Sequence, residues 1–304
     1  MKKLLFTLLA SSSLMLNPAF AADSIDVTNS LGNQQTLPMQ PQRIAAFDLG
    51  ALDTVRELGN SENIVAVPSS TRLPEYLSEF NDAKYLNVGS LVDPNFEKLN
   101  EAEPDLNIIS SRQSKFTERF EEIAPSYFSG ITIDNFYPSF KQNILNIAVI
   151  LDKKDVANQK LADLDKKMEQ IKAKAQGKTA LILLISESKV STFGEASRFG
   201  IIYQGFGFTS VDNNVETATH GMNVGFEYIL EKNPDYIFVV DRTAAVTNTK
   251  DNAATVLNND IVKQTKAYQN GHIIYLNPEN WYLAMGGLKS MESMSQEVED
   301  ALSK

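Results

Sequence analysis

The sequence predicts an α/β protein of two similar lobes joined by one long helix, and three observations carry that expectation. One phrase is written twice: "FEKLNEAEPDLNIISSR" over residues 96–112 and "FEYILEKNPDYIFVVDR" over residues 226–242, an offset of 130. Both read Phe-Glu, a later Glu, Pro-Asp, an apolar run and Arg. Near the amino terminus "RIAAFD", "LGALDTVRELG" and "NIVAVP" read as strand, helix and strand, the grammar of a βαβ unit and a parallel sheet. Between the two copies, a helical pattern runs from Phe140 to Lys174 without Gly or Pro. Its apolar face is Ile144, Ile147, Ala148 and Leu151, then Leu161, Leu164, Met168 and Ile171. As one rod, at about 1.5 Å per residue, it would span on the order of 50 Å.

"MKKLLFTLLASSSLMLNPAFAADS" reads as an export signal: Lys2 and Lys3 are the charged end, Leu4 to Leu16 the apolar run, and Ala19-Phe20-Ala21 a small-x-small cleavage site. The apolar run is short for a bilayer span. "IDVTNSLGNQQTLP" alternates polar and apolar residues around turn formers and predicts a hairpin. The first helix places Leu49, Leu52, Val55 and Leu58 on one face and stops at Gly59. In the first copy of the phrase, Phe96, Leu99 and Ala102 share a helical face, Pro104 ends the helix, and "DLNIIS" is a buried strand with Arg112 just past it. In the second copy, Phe226, Ile229 and Leu230 precede Pro234, "YIFVV" is the strand, and Arg242 follows. Gly177 ends the long helix and "TALILLIS" opens a new strand. The expected boundaries are 1–21 for the signal, 22–138 for the first lobe, 139–176 for the bridging helix and 177–304 for the second lobe. In open α/β sheets ligands bind outside the carboxyl ends of strands, so Arg112 and Arg242 are expected to face a shared cleft.

Composition narrows the function. The 304 residues are 43% hydrophobic and 22% charged, enough for two cored lobes. The formal net charge of −10 becomes −12 once the two signal lysines are removed, and binding of nucleic acid through a broad basic surface is not expected. There is no cysteine, hence no lipobox, disulfide or thiolate metal site. The expectation is a soluble periplasmic monomer without a lipid anchor. An enzyme is not expected. The chain has no Gly-x-Ser-x-Gly elbow, no P-loop and no Gly-rich dinucleotide loop after a strand, and its two histidines leave little for a triad.

At this point the chain resembles a known family along essentially its whole mature length. The phrases "AFDLGALDTVRELG", "SSRQ", "FGEASRFGIIYQGFGF", "THGMNVGFEYI" and "NWYLAMGG" are similar to the periplasmic binding proteins of iron-siderophore ABC importers, class III or cluster A. Together they look like the ferric-catecholate branch of the CeuE and VctP type, which serves enterobactin-related uptake. The resemblance implies the class III fold, two Rossmann-like lobes bridged by a single long α-helix. It implies no intrinsic cofactor, an Fe(III)-catecholate complex as ligand and an inner-membrane ABC permease dimer as partner. Carried over by position, it implies ligand-binding arginines at Arg112, Arg198 and Arg242. It further implies His220 and Tyr282 as iron ligands when the siderophore is tetradentate, and Glu97 and Glu227 as one permease-docking glutamate per lobe.

The residue types suit that chemistry. A ferric catecholate complex carries net negative charge, and arginine offers permanent charge, a planar fork of donors and a face that stacks on rings. A solvated or salt-bridged arginine is the ordinary alternative, and the matched positions of Arg112 and Arg242 argue against it. Two catecholates fill four of six iron sites, leaving two for a neutral imidazole and a phenolate. The alternatives stay open: an exposed loop histidine at 220, aromatic packing at Tyr282 beside Trp281, ordinary surface glutamates at 97 and 227. His272, in the turn "NGHIIYL", is expected to be structural. A hydroxamate siderophore, haem or a corrinoid on the same fold is the alternative ligand.

Overall fold

The computed structural model describes residues 23–133, 135–215, 220–247, 249 and 252–304. The expected signal segment lies outside the described residues. The first element is the expected hairpin, β1 (Ser24–Thr28) antiparallel to β2 (Gln34–Pro38). Its turn is closed by Asn29, whose Oδ1 accepts the main-chain N–H groups of Leu31 at 3.0 Å and Asn33 at 3.1 Å.

The amino-terminal lobe is a parallel sheet of β3 (Ile44–Ala46), β4 (Ile64–Val67), β5 (Leu86–Asn87), β6 (Leu106–Ile109) and β7 (Ser126–Phe128), in the order β5-β4-β3-β6-β7. Every residue of β3 and β6 is buried, as befits strands covered on both faces. The lobe's helices are α1 (Leu49–Glu57), α2 (Phe96–Glu101) and α3 (Thr117–Glu121). Asp48 caps α1, accepting the Ala51 N–H at 2.8 Å, and Asn95 caps α2 from Lys98 at 3.0 Å.

The segment between the phrases departs from the expected rod. It forms α4 (Phe136–Ile150) and α5 (Lys154–Ala175), with Asp152 at φ 56° between them. The Lys153 N–H reaches back to the Ala148 carbonyl at 2.7 Å, and the Asp152 N–H to that of Val149 at 3.2 Å. This double closure is a Schellman motif, with aspartate in the left-handed position that glycine usually takes. The chain then doubles back. The Tyr137 hydroxyl and the Lys141 ammonium on α4 bind Asp165 on α5 at 2.8 and 2.6 Å. The bridge is therefore α5 alone, whose 22 residues extend about 33 Å at the usual rise. It pairs with the first lobe through Lys160 and Glu57, and with the second through Met168 against Gly205.

The carboxy-terminal lobe contains β8 (Thr179–Ser186), β9 (Lys189–Phe193), β10 (Thr209–Ser210), β11 (Met222–Asn223), β12 (Tyr236–Asp241) and β13 (Ile273–Leu276). Their order is β11-β9-β8-β12-β13, with β10 beside the start of β8. Here β8, β10, β12 and β13 run parallel, while β9 and β11 form an antiparallel flank that the first lobe's sheet does not share. The helices are α6 (Ile201–Gln204), α7 (Phe226–Lys232), α8 (Arg242–Thr247), α9 (Asn252–Leu257), α10 (Lys266–Gln269) and α11 (Leu288–Leu302).

The repeated phrase is a structural repeat. In each lobe a short helix (α2 or α7) leads into a strand (β6 or β12) that lies beside the lobe's first strand (β3 or β8). Glu103 and Asn233 end those helices at the same φ, 44°. The aspartate of each Pro-Asp then ties down the start of the neighbouring strand. Asp105 accepts the Gln42 and Arg43 N–H groups at 2.7 and 3.0 Å, and Asp235 accepts the Thr179 N–H at 3.0 Å and its hydroxyl at 2.8 Å.

The lobes also touch directly. The start of α11 docks on α1, where buried Asp53 accepts the N–H groups of Lys289 and Ser290 at 3.0 and 2.8 Å and the Tyr76 hydroxyl at 3.1 Å. Burial outweighs those bonds and pushes the Asp53 carboxyl up to about 7. Glycine is required at position 50, where a Cβ would fall 2.9 Å from the main-chain nitrogen of Gly287.

Candidate functional site

A cavity of about 590 Å³ opens between the lobes, within the usual range for small-ligand pockets. Arg112, Arg198, His220 and Tyr282 line it. Arg112 lies one turn past the end of β6, and Arg242 begins α8 directly after β12, as the strand-end rule predicts. Arg198 comes from the loop between β9 and α6.

Tyr282 sits in a π-helical turn, Glu279–Leu283, and is the point on which the three arginines converge. Arg112 donates to the Tyr282 carbonyl at 3.0 Å and Arg198 to the same oxygen at 3.2 Å. The Arg198 guanidinium lies 4.7 Å from the Tyr282 ring centre. Arg242 donates from Nε to the Tyr282 hydroxyl at 2.8 Å and from its fork to the Ser186 hydroxyl at 3.1 Å. The cavity wall does not include Arg242; it joins the group through that phenol. His220 is exposed at the rim, next to residues 216–219, which lie outside the described residues.

The charge balance is unusual. Among the described residues, none of the three arginines has a carboxylate within the 4.0 Å of an ion pair. Burial, with repulsion from Arg112, lowers Arg198 to about 10, so it remains protonated at neutral pH. Guanidinium groups held beside a cavity without an ion-paired carboxylate among the described residues favour an anion that brings its own charge. They also offer ring-stacking faces and hydrogen-bond forks.

Asp48 is not among the expected site residues. It caps α1 at the carboxyl end of β3 and lines the cavity; burial raises its carboxyl, and Arg112 partly offsets the rise. Its place at a strand end was a usable signal. The opposite wall, with Ile131, Ile133, Phe136 and Met285, comes from a loop, a helix start and the stretch before α11, and obeys no such rule. His272 is structural as expected: its ring stacks on Tyr236 with centroids 4.2 Å apart, and its Nδ1 lies 3.1 Å from the Asp235 carbonyl. Glu97 and Glu227 are both exposed, in the first turns of α2 and α7. They occupy matching positions on the two lobes.

The petrobactin-binding protein YclQ of Bacillus subtilis is 41% identical over 285 residues, covering 93% of this chain and 89% of that one. Its crystal structure superposes with a TM-score of 0.89 over 93% of this chain and 99% of that one. The iron-uptake ABC transporter substrate-binding protein PiuA of Streptococcus pneumoniae is 37% identical, with a TM-score of 0.87 over 92% of this chain and 100% of that one. The periplasmic catecholate-siderophore binding protein VctP of Vibrio cholerae is 32% identical, with a TM-score of 0.85 over 91% of this chain and 100% of that one. A family model described as periplasmic binding protein, Peripla_BP_2, matches residues 44–280, and the chain belongs to that family of substrate-binding proteins.

Proposed function

We propose that this protein captures an Fe(III)-catecholate siderophore in the interlobe cavity and delivers it to an ABC importer. Three arginines gathered on Tyr282, none in an ion pair with a carboxylate among the described residues, are the observation that carries the reading. The names of its relatives point the same way: one binds petrobactin, another a catecholate siderophore, and a third serves iron uptake. The iron is cargo, and catalysis forms no part of this role.

In the finer reading, Arg112, Arg198 and Arg242 hold the anionic catecholates. A tetradentate chelate leaves two iron positions, which His220 and Tyr282 fill, the tyrosine as phenolate. Export proceeds with cleavage after Ala21 and places an unanchored monomer in the periplasm. Glu97 and Glu227 meet the two halves of a permease dimer, one lobe on each.

Titration with a ferric bis-catecholate, monitored by quenching of the single tryptophan, Trp281, tests this. His220→Ala and Tyr282→Phe run beside wild type, with a ferric hydroxamate as control. Tight quenching by the catecholate alone, weakened in both variants and accompanied by a shifted charge-transfer band, is the expected result. Unchanged binding in the variants would leave the arginine cage and remove the two iron ligands. A response to the hydroxamate alone would overturn the catecholate assignment.

A further inference from the structure

The π-helical turn that carries Tyr282 is gripped from the other lobe. Its first residue, Glu279, is buried; one carboxylate oxygen pairs with Arg72 and the other accepts the Glu75 N–H at 2.9 Å. Both partners belong to the amino-terminal lobe, in the stretch between β4 and β5. Arg72 also lies 3.4 Å from the Ala244 carbonyl, in the first turn of α8, the helix that Arg242 opens. One guanidinium from the first lobe thus touches both segments whose side chains meet in the Arg242–Tyr282 hydrogen bond. Within its own lobe the turn is held by the Trp281 indole, which donates to Glu297 at 3.1 Å, and Arg112 of the first lobe adds its bond to the Tyr282 carbonyl.

From this arrangement we infer that Arg72 is a positioning residue for the Tyr282–Arg242 pair, acting through Glu279 and the Ala244 carbonyl. The inference rests on the proposed ligand reading above and deepens it. Arginine suits the place because two nitrogens of one flat fork address a carboxylate and a carbonyl on two different elements; a lysine carries its three donors on a single nitrogen and cannot spread them over the same span. A second clasp between the lobes, Asp53 on the start of α11, fixes the far end of the same stretch. The stretch from Glu279 to Ser290 is therefore tied to the first lobe at both ends, although the chain reaches it from the second. Arg72 is the only one of these contacts that also reaches α8 among the described residues. Its loss frees the relative placement of the phenol and Arg242 without removing either group.

The test uses the full mature chain as Arg72→Ala and Arg72→Lys, with Glu279→Gln as a milder cut of the same contact should Arg72→Ala fold poorly. In the ligand-free protein, amide hydrogen exchange of peptides covering 279–284 and 242–247 is expected to rise about tenfold in Arg72→Ala. Peptides from β8 should stay at wild-type rates. With a ferric bis-catecholate as probe, Arg72→Ala should move the charge-transfer band toward that of Tyr282→Phe and raise Kd about tenfold. Arg72→Lys should recover part of both. A hexadentate tris-catecholate, which needs no protein ligand, should change less than threefold. Folded Arg72→Ala and Glu279→Gln with wild-type exchange in both segments would overturn the inference. So would increased exchange with an unmoved band, provided that Tyr282→Phe itself moves it. A band that Tyr282→Phe leaves in place would instead remove the phenolate reading, and the inference would then be judged on the exchange data alone.

Discussion

The two copies of the repeated phrase agree in their framework and part at their last residue. Glu103 and Asn233 turn the chain at the same φ, and Asp105 and Asp235 each secure the start of the neighbouring strand. Arg112 and Arg242 keep the same register, yet they grip Tyr282 differently. Arg112 donates to its main-chain carbonyl, whereas Arg242 donates to its phenol and is braced by Ser186. The repeat thus fixes where an arginine stands. The element after the strand, a short 3₁₀ turn in one lobe and a helix in the other, decides what that arginine can reach.

The sharpest way to break this comparison is to remove each arginine in turn. Arg242→Ala deletes the group that braces the proposed iron-binding oxygen as well as a positive charge. Arg112→Ala deletes the charge and a bond to a carbonyl that Arg198 also serves. Charge-assisted hydrogen bonds contribute about 1.5–3 kcal/mol each. Ferric bis-catecholate affinity is therefore expected to fall about 100-fold in Arg242→Ala and about tenfold in Arg112→Ala, read by Trp281 quenching. Equal losses would mean that both act only as charges. A larger loss at Arg112 would invert the comparison.

The parts of the fold that the sequence revealed are those governed by local pattern. Hairpin, first βαβ unit and both copies of the phrase are legible from periodicity and from Gly, Pro and Asn positions. The helix break at Asp152 escaped because the Schellman closure there uses aspartate where glycine would have announced it. Among the residues of the candidate site, Arg112 and Arg242 are readable because strand ends are where α/β sheets place ligands. Tyr282, Arg198 and His220 needed a family resemblance, since the π-turn and the loops that bring them together have no periodicity. Asp48 stands at a strand end, but its capping role hides the face it turns to the cavity. The opposite wall comes from the loop before α4, its first residue and the stretch before α11, where no periodic pattern marks a side chain's direction.

A second pair in the repeat, Glu97 and Glu227, has the same exposure in both lobes. If each docks one half of a permease, Glu97→Ala and Glu227→Ala should each cut siderophore uptake severalfold, and the double variant at least tenfold. Ligand Kd and melting temperature should stay at wild-type values, because neither glutamate reaches the cavity or the core. Uptake that depends on one glutamate alone would end the symmetry between the lobes at the membrane.

The smallest expected effect concerns the aspartates that make the two frameworks alike. Asp105→Ala and Asp235→Ala each leave two donors at a strand start without their carboxylate, at a cost of about 1–3 kcal/mol that water reduces at these half-buried positions. Chemical denaturation should give matching losses. For Asp235, burial raises the carboxyl, but the Thr179 main-chain and hydroxyl bonds, with Lys266 and Lys178 nearby, outweigh it and hold the group below its ordinary value. A carboxyl lowered on folding adds stability that is present above the unfolded-state value, near 4, and is lost as pH falls through the folded-state value. Wild type should therefore lose stability below about pH 4 more steeply than Asp235→Ala. Parallel curves would mean that the ion-dipole bonds at Thr179 are as strong in the unfolded chain, and the likeness of the two frameworks would then be one of geometry without energy.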